Sequence, residues 1–144
     1  MAAVSEAFAA VPERAGLVFG VVKARRLAEL VNGRRKYEPV PPNPWVEVPI
    51  FTHLPLSASS GKDPLSRNHI NVLTADAVVV LPGGAGTRSE IELASEYDRP
   101  LILFLGKETV DGLGAEDLLP AGRSRSVQAR DLDELEQQLR DLLV

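Results

Sequence analysis

Short apolar runs alternate with segments of helical periodicity along this chain. Three runs are typical of strands that are covered on both faces, at 17–22, 76–81 and 100–105. The run at 45–50 and a shorter one at 126–129 predict two further strands. Apolar residues at three- and four-residue spacing predict helices at 2–11, 24–31, 65–75, 87–97 and 131–143, and loops are expected at 32–44 and 52–64.

The alternation of strands and helices predicts the fold class. Continuous apolar strands separated by helices indicate a parallel sheet with helices on both faces. We therefore expect a Rossmann-like three-layer α/β/α architecture that forms one domain over 1–144. The last helix is amphipathic, and Asp131 is placed to cap its N-terminus. Its expected buried face is formed by Leu132, Leu135, Leu139 and Leu142.

Composition and charge narrow the classes of function. The net charge is −4, which disfavours a general nucleic-acid binder. The chain has no cysteine, and no spacing of His, Asp or Glu suggests a metal site. No apolar run approaches the roughly 20 residues that span a bilayer, and the N-terminus does not resemble a signal peptide. We therefore expect a cytoplasmic protein with no membrane or nucleic-acid partner.

A glycine-rich turn follows the predicted strand at 76–81. Gly83, Gly84 and Gly86 stand where ligands bind in open α/β sheets, at the carboxyl end of a strand. Glycine allows positive φ and a close approach of the backbone to a ligand, and the following helix N-terminus favours an anion such as phosphate. Thr87 is expected either to cap that helix or to give its hydroxyl to the phosphate. The alternative is a plain turn whose glycines serve the geometry of the sheet.

The residues from Pro82 to Glu90 read PGGAGTRSE and match the pattern PGGxGTxxE. This pattern is typical of the Lonely Guy family, long labelled lysine decarboxylases, and the chain resembles that family over about residues 1–106. The wider group includes molybdenum-cofactor carrier proteins. Asn43-Pro44-Trp45, Arg67-Asn68 and Ala75-Asp76-Ala77 look most like that carrier branch.

The resemblance to the enzymes implies that the chain hydrolyses nucleoside 5′-monophosphates to a free base and ribose 5-phosphate. It implies catalytic roles for Glu90 and, less directly, for Arg67, with no cofactor required for hydrolysis. The ligand implied is a small AMP-type nucleotide, and the family commonly forms homodimers. The phosphate- or nucleotide-binding residues implied are Gly83, Gly84, Ala85, Gly86, Thr87 and Asn68.

Several alternatives remain open at the level of sequence. The SRNHIN segment around Arg67 differs from the enzyme pattern and resembles the carrier branch, which implies a non-catalytic protein with molybdenum cofactor as its ligand. An inactive family member that only dimerises is a third reading. Glu90 is alternatively a first-turn acid that favours the helix dipole, and Arg67 an ordinary surface cation. The loop from Ser57 to Asp63 is long enough to close over a ligand.

The N-terminus also departs from the family pattern. The residues from Met1 to Val22 align with the family's first helix and second strand, so Met1 resembles an internal methionine. The expectation is a chain that lacks the usual first strand and its glycine turn. Upstream in-frame codons for such a segment would support this, and an immediate in-frame stop would exclude it.

Overall fold

A computed structural model describes residues 2–24, 29–31, 34–36, 40–119 and 125–143, and within 25–39 it describes the backbone of the strands alone. The chain divides into two compact units, Met1–Pro55 and Leu56–Val144. The helices are α1 Ala2–Ala9, α2 Asn68–Leu73, α3 Ala85–Glu96, α4 Ala115–Leu118 and α5 Leu132–Leu142. The strands are β1 Phe19–Val22, β2 Glu29–Val31, β3 Arg34–Lys36, β4 Val48–Phe51, β5 Val78–Val80, β6 Leu101–Leu103 and β7 Ser126–Gln128.

The first unit contains a parallel pair and an antiparallel pair of strands. β1 pairs with β4 in parallel, with Phe19 opposite Val48. β2 pairs with β3 antiparallel, so the helix predicted at 24–31 is wrong at Glu29–Val31, and part of the predicted loop is a strand. The prediction is also wrong at Ala24, which forms a β-bridge, and residues 25–28 of that predicted helix lie outside the described residues. β1 was expected to be covered on both faces, but 61% of Phe19 is exposed.

Glu47 joins two segments of the first unit. Its carboxylate accepts hydrogen bonds from Arg14 Nη2 and from the backbone N–H of Val18, each at 2.8 Å. Arg14 also lies over the ring of Phe8, at 5.2 Å from the ring centroid. The hydrogen bond from Arg14, followed by that from Val18, lowers the pKa of Glu47 below its ordinary value.

The second unit is a parallel sheet with its strands in the order β5-β6-β7. Val78 lies opposite Leu101, and Leu101 lies opposite Ser126. Helices follow β5 and β6, and α5 follows β7, so parallel strands alternate with helices as predicted. This confirms an α/β class consistent with a Rossmann-like fold.

The core of the second unit surrounds β6, whose three residues are all fully buried. Leu93 and Ala94 of α3 pack into this core, because they lie on the helix face that covers the sheet. Further buried members come from the segments around the sheet: Val72, Val80, Leu105, Val110, Ala115 and Leu118. This apolar centre therefore joins β5, β6 and the helices α2, α3 and α4 of the unit.

The helix ends differ from the predictions by a few residues. The predicted cap of α5 is confirmed, since the Asp131 side chain accepts from Glu134 N at 2.9 Å. Leu132 was expected on the buried face of α5, but 70% of it is exposed, so the half-buried leucines begin at Leu135. The short helix α4 was not predicted. None of the helices in the described ranges is long and apolar enough to cross a membrane.

Candidate functional site

All the candidate site residues lie in the second unit: Gly83–Thr87 and Glu90 lie at or near the start of α3, and Arg67 and Asn68 lie at the start of α2. The helix begins at Ala85, two residues earlier than predicted, and Gly84 is its N-cap with an extended backbone. Glu90 therefore lies in the second turn, and the first turn contains no acidic residue. The interpretation of Glu90 as a first-turn acid is therefore wrong. The helix dipole acts on charges in the end turns, and Glu90 lies beyond the first of these.

The glycines of the turn differ in what surrounds them. A Cβ on Gly83 would meet Oγ1 and Cβ of Thr87, so no side chain fits there. A Cβ on Gly84 would meet nothing within 4 Å. The glycines of the turn do not use the positive φ that glycine allows, since only Gly106 and Gly112 adopt it among the glycines that the structure describes. The motif therefore lets a ligand approach the backbone closely, and the position that is open to the ligand is Gly84.

Gly83 is held by a second segment of the chain. Its N–H donates to the carbonyl of Thr109 at 3.3 Å, and its carbonyl accepts from Asp111 N at 2.9 Å. Because both of its backbone groups are engaged, Gly83 does not offer a donor to a ligand. Within the part of the chain that the structure describes, the unpaired N–H groups of the site are those at the start of α3, from Ala85 to Thr87.

Thr87 lies in the first turn of α3, so it does not act as the N-cap that was one of its expected roles. Its side chain is half-buried beneath Gly83. Among the described residues, no hydrogen bond to its hydroxyl is present. The hydroxyl therefore remains available to a ligand at the start of the helix.

Arg88 is directed to carboxylates beside the turn. Its Nε donates to Glu92 at 3.1 Å, and its Nη1 lies 3.4 Å from Asp111 Oδ2. These two hydrogen bonds, that to Glu92 first, raise the pKa of Arg88 above its ordinary value. The ion pair between Arg88 and Asp111 offsets the negative charge that Asp111 would otherwise place near an anion site.

The loop that was expected to close over a ligand rests against α3. Ser89 Oγ donates to the carbonyl of Ala58, and it also lies 2.9 Å from the carbonyl of Ala85. A Cβ on Gly86 would lie 3.4 Å from Ala58 Cα. The side of the turn at Gly86 is therefore covered by this loop, which contains a 3₁₀ turn at Ala58–Ser60.

His69 of α2 holds the other end of that loop. Its Nε2 lies 3.1 Å from the carbonyl of Lys62 and 3.0 Å from that of Asp63. Because carbonyl oxygens only accept, Nε2 carries the proton in this arrangement. Nδ1 lies 2.7 Å from the hydroxyl of Tyr97 at the end of α3, so His69 links the loop to both helices.

α2 and α3 lie side by side, and two further polar contacts join them near the glycine turn. Asn68 is 3% exposed, and its Nδ2 lies 3.5 Å from the carbonyl of Gly86. One turn further along both helices, Asn71 Nδ2 donates to Glu90 Oε1 at 2.9 Å. Arg67 immediately precedes α2 as its N-cap residue. The structure thus brings Asn68, Glu90 and the glycine turn into one region.

Sequence reasoning missed Asn71 as part of this region. The signal available was its spacing, since Asn71 lies four residues after Arg67 and therefore on the same face of α2. No group of three or more His, Cys, Asp or Glu able to hold a metal ion occurs in the part of the chain that the structure describes.

Comparison with known proteins gives one finding. The model of the SLOG cluster4 family matches residues 1–131 of the chain. No curated protein and no solved structure matches it significantly.

Proposed function

The chain belongs to the SLOG cluster4 family, within a superfamily related to the Lonely Guy proteins, and from this premise we propose a phosphoribohydrolase. Membership indicates a nucleotide-related domain. The proposed reaction splits a purine nucleoside 5′-monophosphate into the free base and ribose 5-phosphate. The observation that carries this proposal is the open backbone at Gly84 at the start of α3, with the Glu90 carboxylate in the second turn of the same helix.

The start of α3 suits the 5′-phosphate of such a substrate. Unpaired N–H groups and the positive end of the helix dipole favour an anion at this position. The absence of a side chain at Gly84 lets a phosphate reach those N–H groups, and the Thr87 hydroxyl adds a donor. Arg67 supplies the cation of the proposed site, because a guanidinium binds phosphate or sugar oxygens through two hydrogen bonds.

Glu90 is the proposed catalytic carboxylate. Breaking the N-glycosidic bond sends its electron pair to the base nitrogen and leaves positive charge on the ribose ring. A carboxylate beside the ring stabilises that charge and positions the attacking water. The water oxygen bonds to the anomeric carbon, and the water proton ends on the base. The bonds and protons of this hydrolysis balance without a metal ion or a redox partner.

The test is chromatographic detection of adenine after incubation with AMP. We expect release by the wild type and by Glu96→Gln, an exposed carboxylate two turns along the same helix, and no release by Glu90→Gln. Equal release by Glu90→Gln would refute the role of Glu90. If AMP binds in calorimetry but no base is released, the conclusion moves to the carrier alternative with a pterin-type ligand such as molybdenum cofactor.

A further inference from the structure

The amide of Asn71 is fixed against one oxygen of Glu90. A carboxylate only accepts hydrogen bonds, so the amide nitrogen of Asn71 must face it. The distance of 2.9 Å is that of a well-formed hydrogen bond, and both side chains are half-buried. Because a side chain loses rotamer freedom when it is held by such a bond, the Glu90 carboxylate is restricted in orientation before any ligand arrives.

The two oxygens of Glu90 are not equivalent in this arrangement. Oε1 is occupied by Asn71, whereas Oε2 makes no hydrogen bond within the described ranges. The contact between Asn68 and the carbonyl of Gly86 lies one turn nearer the glycine turn on the same pair of helices. α2 therefore fixes the position of the glycine turn through Asn68 and the orientation of the Glu90 carboxylate through Asn71.

We propose that Asn71 is a positioning residue, which holds Oε1 so that Oε2 of Glu90 is presented to the ribose. This inference rests on the proposed hydrolase function. An orientation fixed in advance lowers the barrier, since a small displacement of a reacting group costs a large factor in rate. Asn71 acts only through Glu90 and takes no part in bond breaking.

Kinetics of Asn71 variants test the proposal. Asn71→Asp replaces the donor by a like charge, and Asn71→Leu removes it without adding charge. We expect kcat for AMP to fall about 10–100-fold in Asn71→Asp and by a smaller factor in Asn71→Leu. KM should stay within about threefold, because Asn71 does not bind the substrate. Asn71→Gln retains an amide and should recover part of the loss relative to Leu.

A matched control is Asn43→Asp, the same change of atoms in the first unit. The Asn43 side chain accepts a hydrogen bond from Trp45 N at 3.0 Å, and an aspartate keeps that acceptor. Its kcat should equal that of the wild type. If both Asn71→Asp and Asn71→Leu keep kcat within about twofold of the wild type, the positioning role is refuted.

An independent measurement separates this inference from the proposed function. In ¹⁵N-labelled protein, the side-chain amide signals of Asn71 are identified by their loss in Asn71→Asp. Glu90→Ala should move them, because it removes their acceptor, and unmoved signals would overturn the contact. A wild type that releases no base refutes the hydrolase, whereas an active wild type with unaffected Asn71 variants refutes only the positioning role.

Discussion

Gly61→Ala should destabilise the second unit by forcing the covering loop away from α3. A Cβ at this position would lie 2.5 Å from Ser89 Cβ and 2.6 Å from Asn68 Nδ2. Both neighbours are buried, and Ser89 is held by its hydrogen bond to Ala58, so neither gives way at low cost. The backbone of Gly61 has φ −65° and ψ −20°, which alanine adopts freely, so the effect is one of packing alone.

The magnitude follows from three contributions. Overpacking of a well-packed site costs about 1–3 kcal/mol. Loss of the hydrogen bond that ties the loop to Ser89 adds about 1 kcal/mol. Reduced freedom of the unfolded chain offsets about 0.4–1 kcal/mol. We therefore expect the free energy of unfolding to fall by about 1–3.5 kcal/mol, which lowers the melting temperature by about 3–12 °C for a chain of this size.

The assay is urea unfolding followed by circular dichroism, with Gly84→Ser as the matched variant. A side chain at Gly84 meets nothing within 4 Å, and serine is a preferred N-cap, so stability should be unchanged or slightly higher. AMP affinity should fall in Gly84→Ser, because its side chain fills the space that the phosphate would use. A Gly61→Ala protein as stable as the wild type, with an unchanged m-value, would refute the close packing of the loop on α3.

Three further perturbations test other parts of the structure. Ile102→Ala, at the centre of the buried strand, should lower the free energy of unfolding by about 2–5 kcal/mol in urea, and a loss below about 1 kcal/mol would contradict its burial. Asp131→Ala removes the acceptor for Glu134 N and should cost about 1 kcal/mol in the same assay, while an unchanged midpoint would exclude the cap. The pKa of Glu47 is lowered chiefly by Arg14, so its stabilisation is complete above the ordinary value of 4.5 and is lost as the pH falls through the lower folded value. Thermal melts should therefore show a smaller loss of stability below pH 4.5 in Glu47→Gln than in the wild type, and parallel curves would contradict the pairing.

The elements predicted correctly are those whose signals are local. β6 is a continuous apolar run, which is typical of a strand covered on both faces, and it is fully buried. Asp131 precedes a segment with clear helical periodicity, so the start of α5 could be read from neighbouring residues. The place of the glycine turn between a strand and a helix follows from the same kind of pattern.

The first unit shows what the pattern of apolar residues missed. The sequence Asn32-Gly33 stands between β2 and β3, and this dipeptide is the strongest short signal for a two-residue hairpin. A helix was nevertheless predicted at 24–31, because its apolar residues recur at three- and four-residue spacing. Pairing between strands overrides that pattern at Glu29–Val31.

The details of the site depend on residues distant in the chain. Gly83 is engaged by Thr109 and Asp111, and Glu90 is held by Asn71 from a different helix. Periodicity describes one element at a time, so it does not indicate which side chains of two helices meet. The motif located the glycine turn between a strand and a helix, whereas the different surroundings of its glycines follow only from the packing around each of them.

The strand order of the second unit also bears on how the protein is made. β5, β6 and β7 are neighbours in space in the order in which the ribosome synthesises them. Each new strand can therefore pair with one that has already emerged, without waiting for a distant segment to arrive. Pairing between consecutive strands has a lower contact order than pairing between strands distant in the chain, and lower contact order favours faster folding. The glycine turn and Glu90, carried between the first two of these strands, can thus be assembled early during translation.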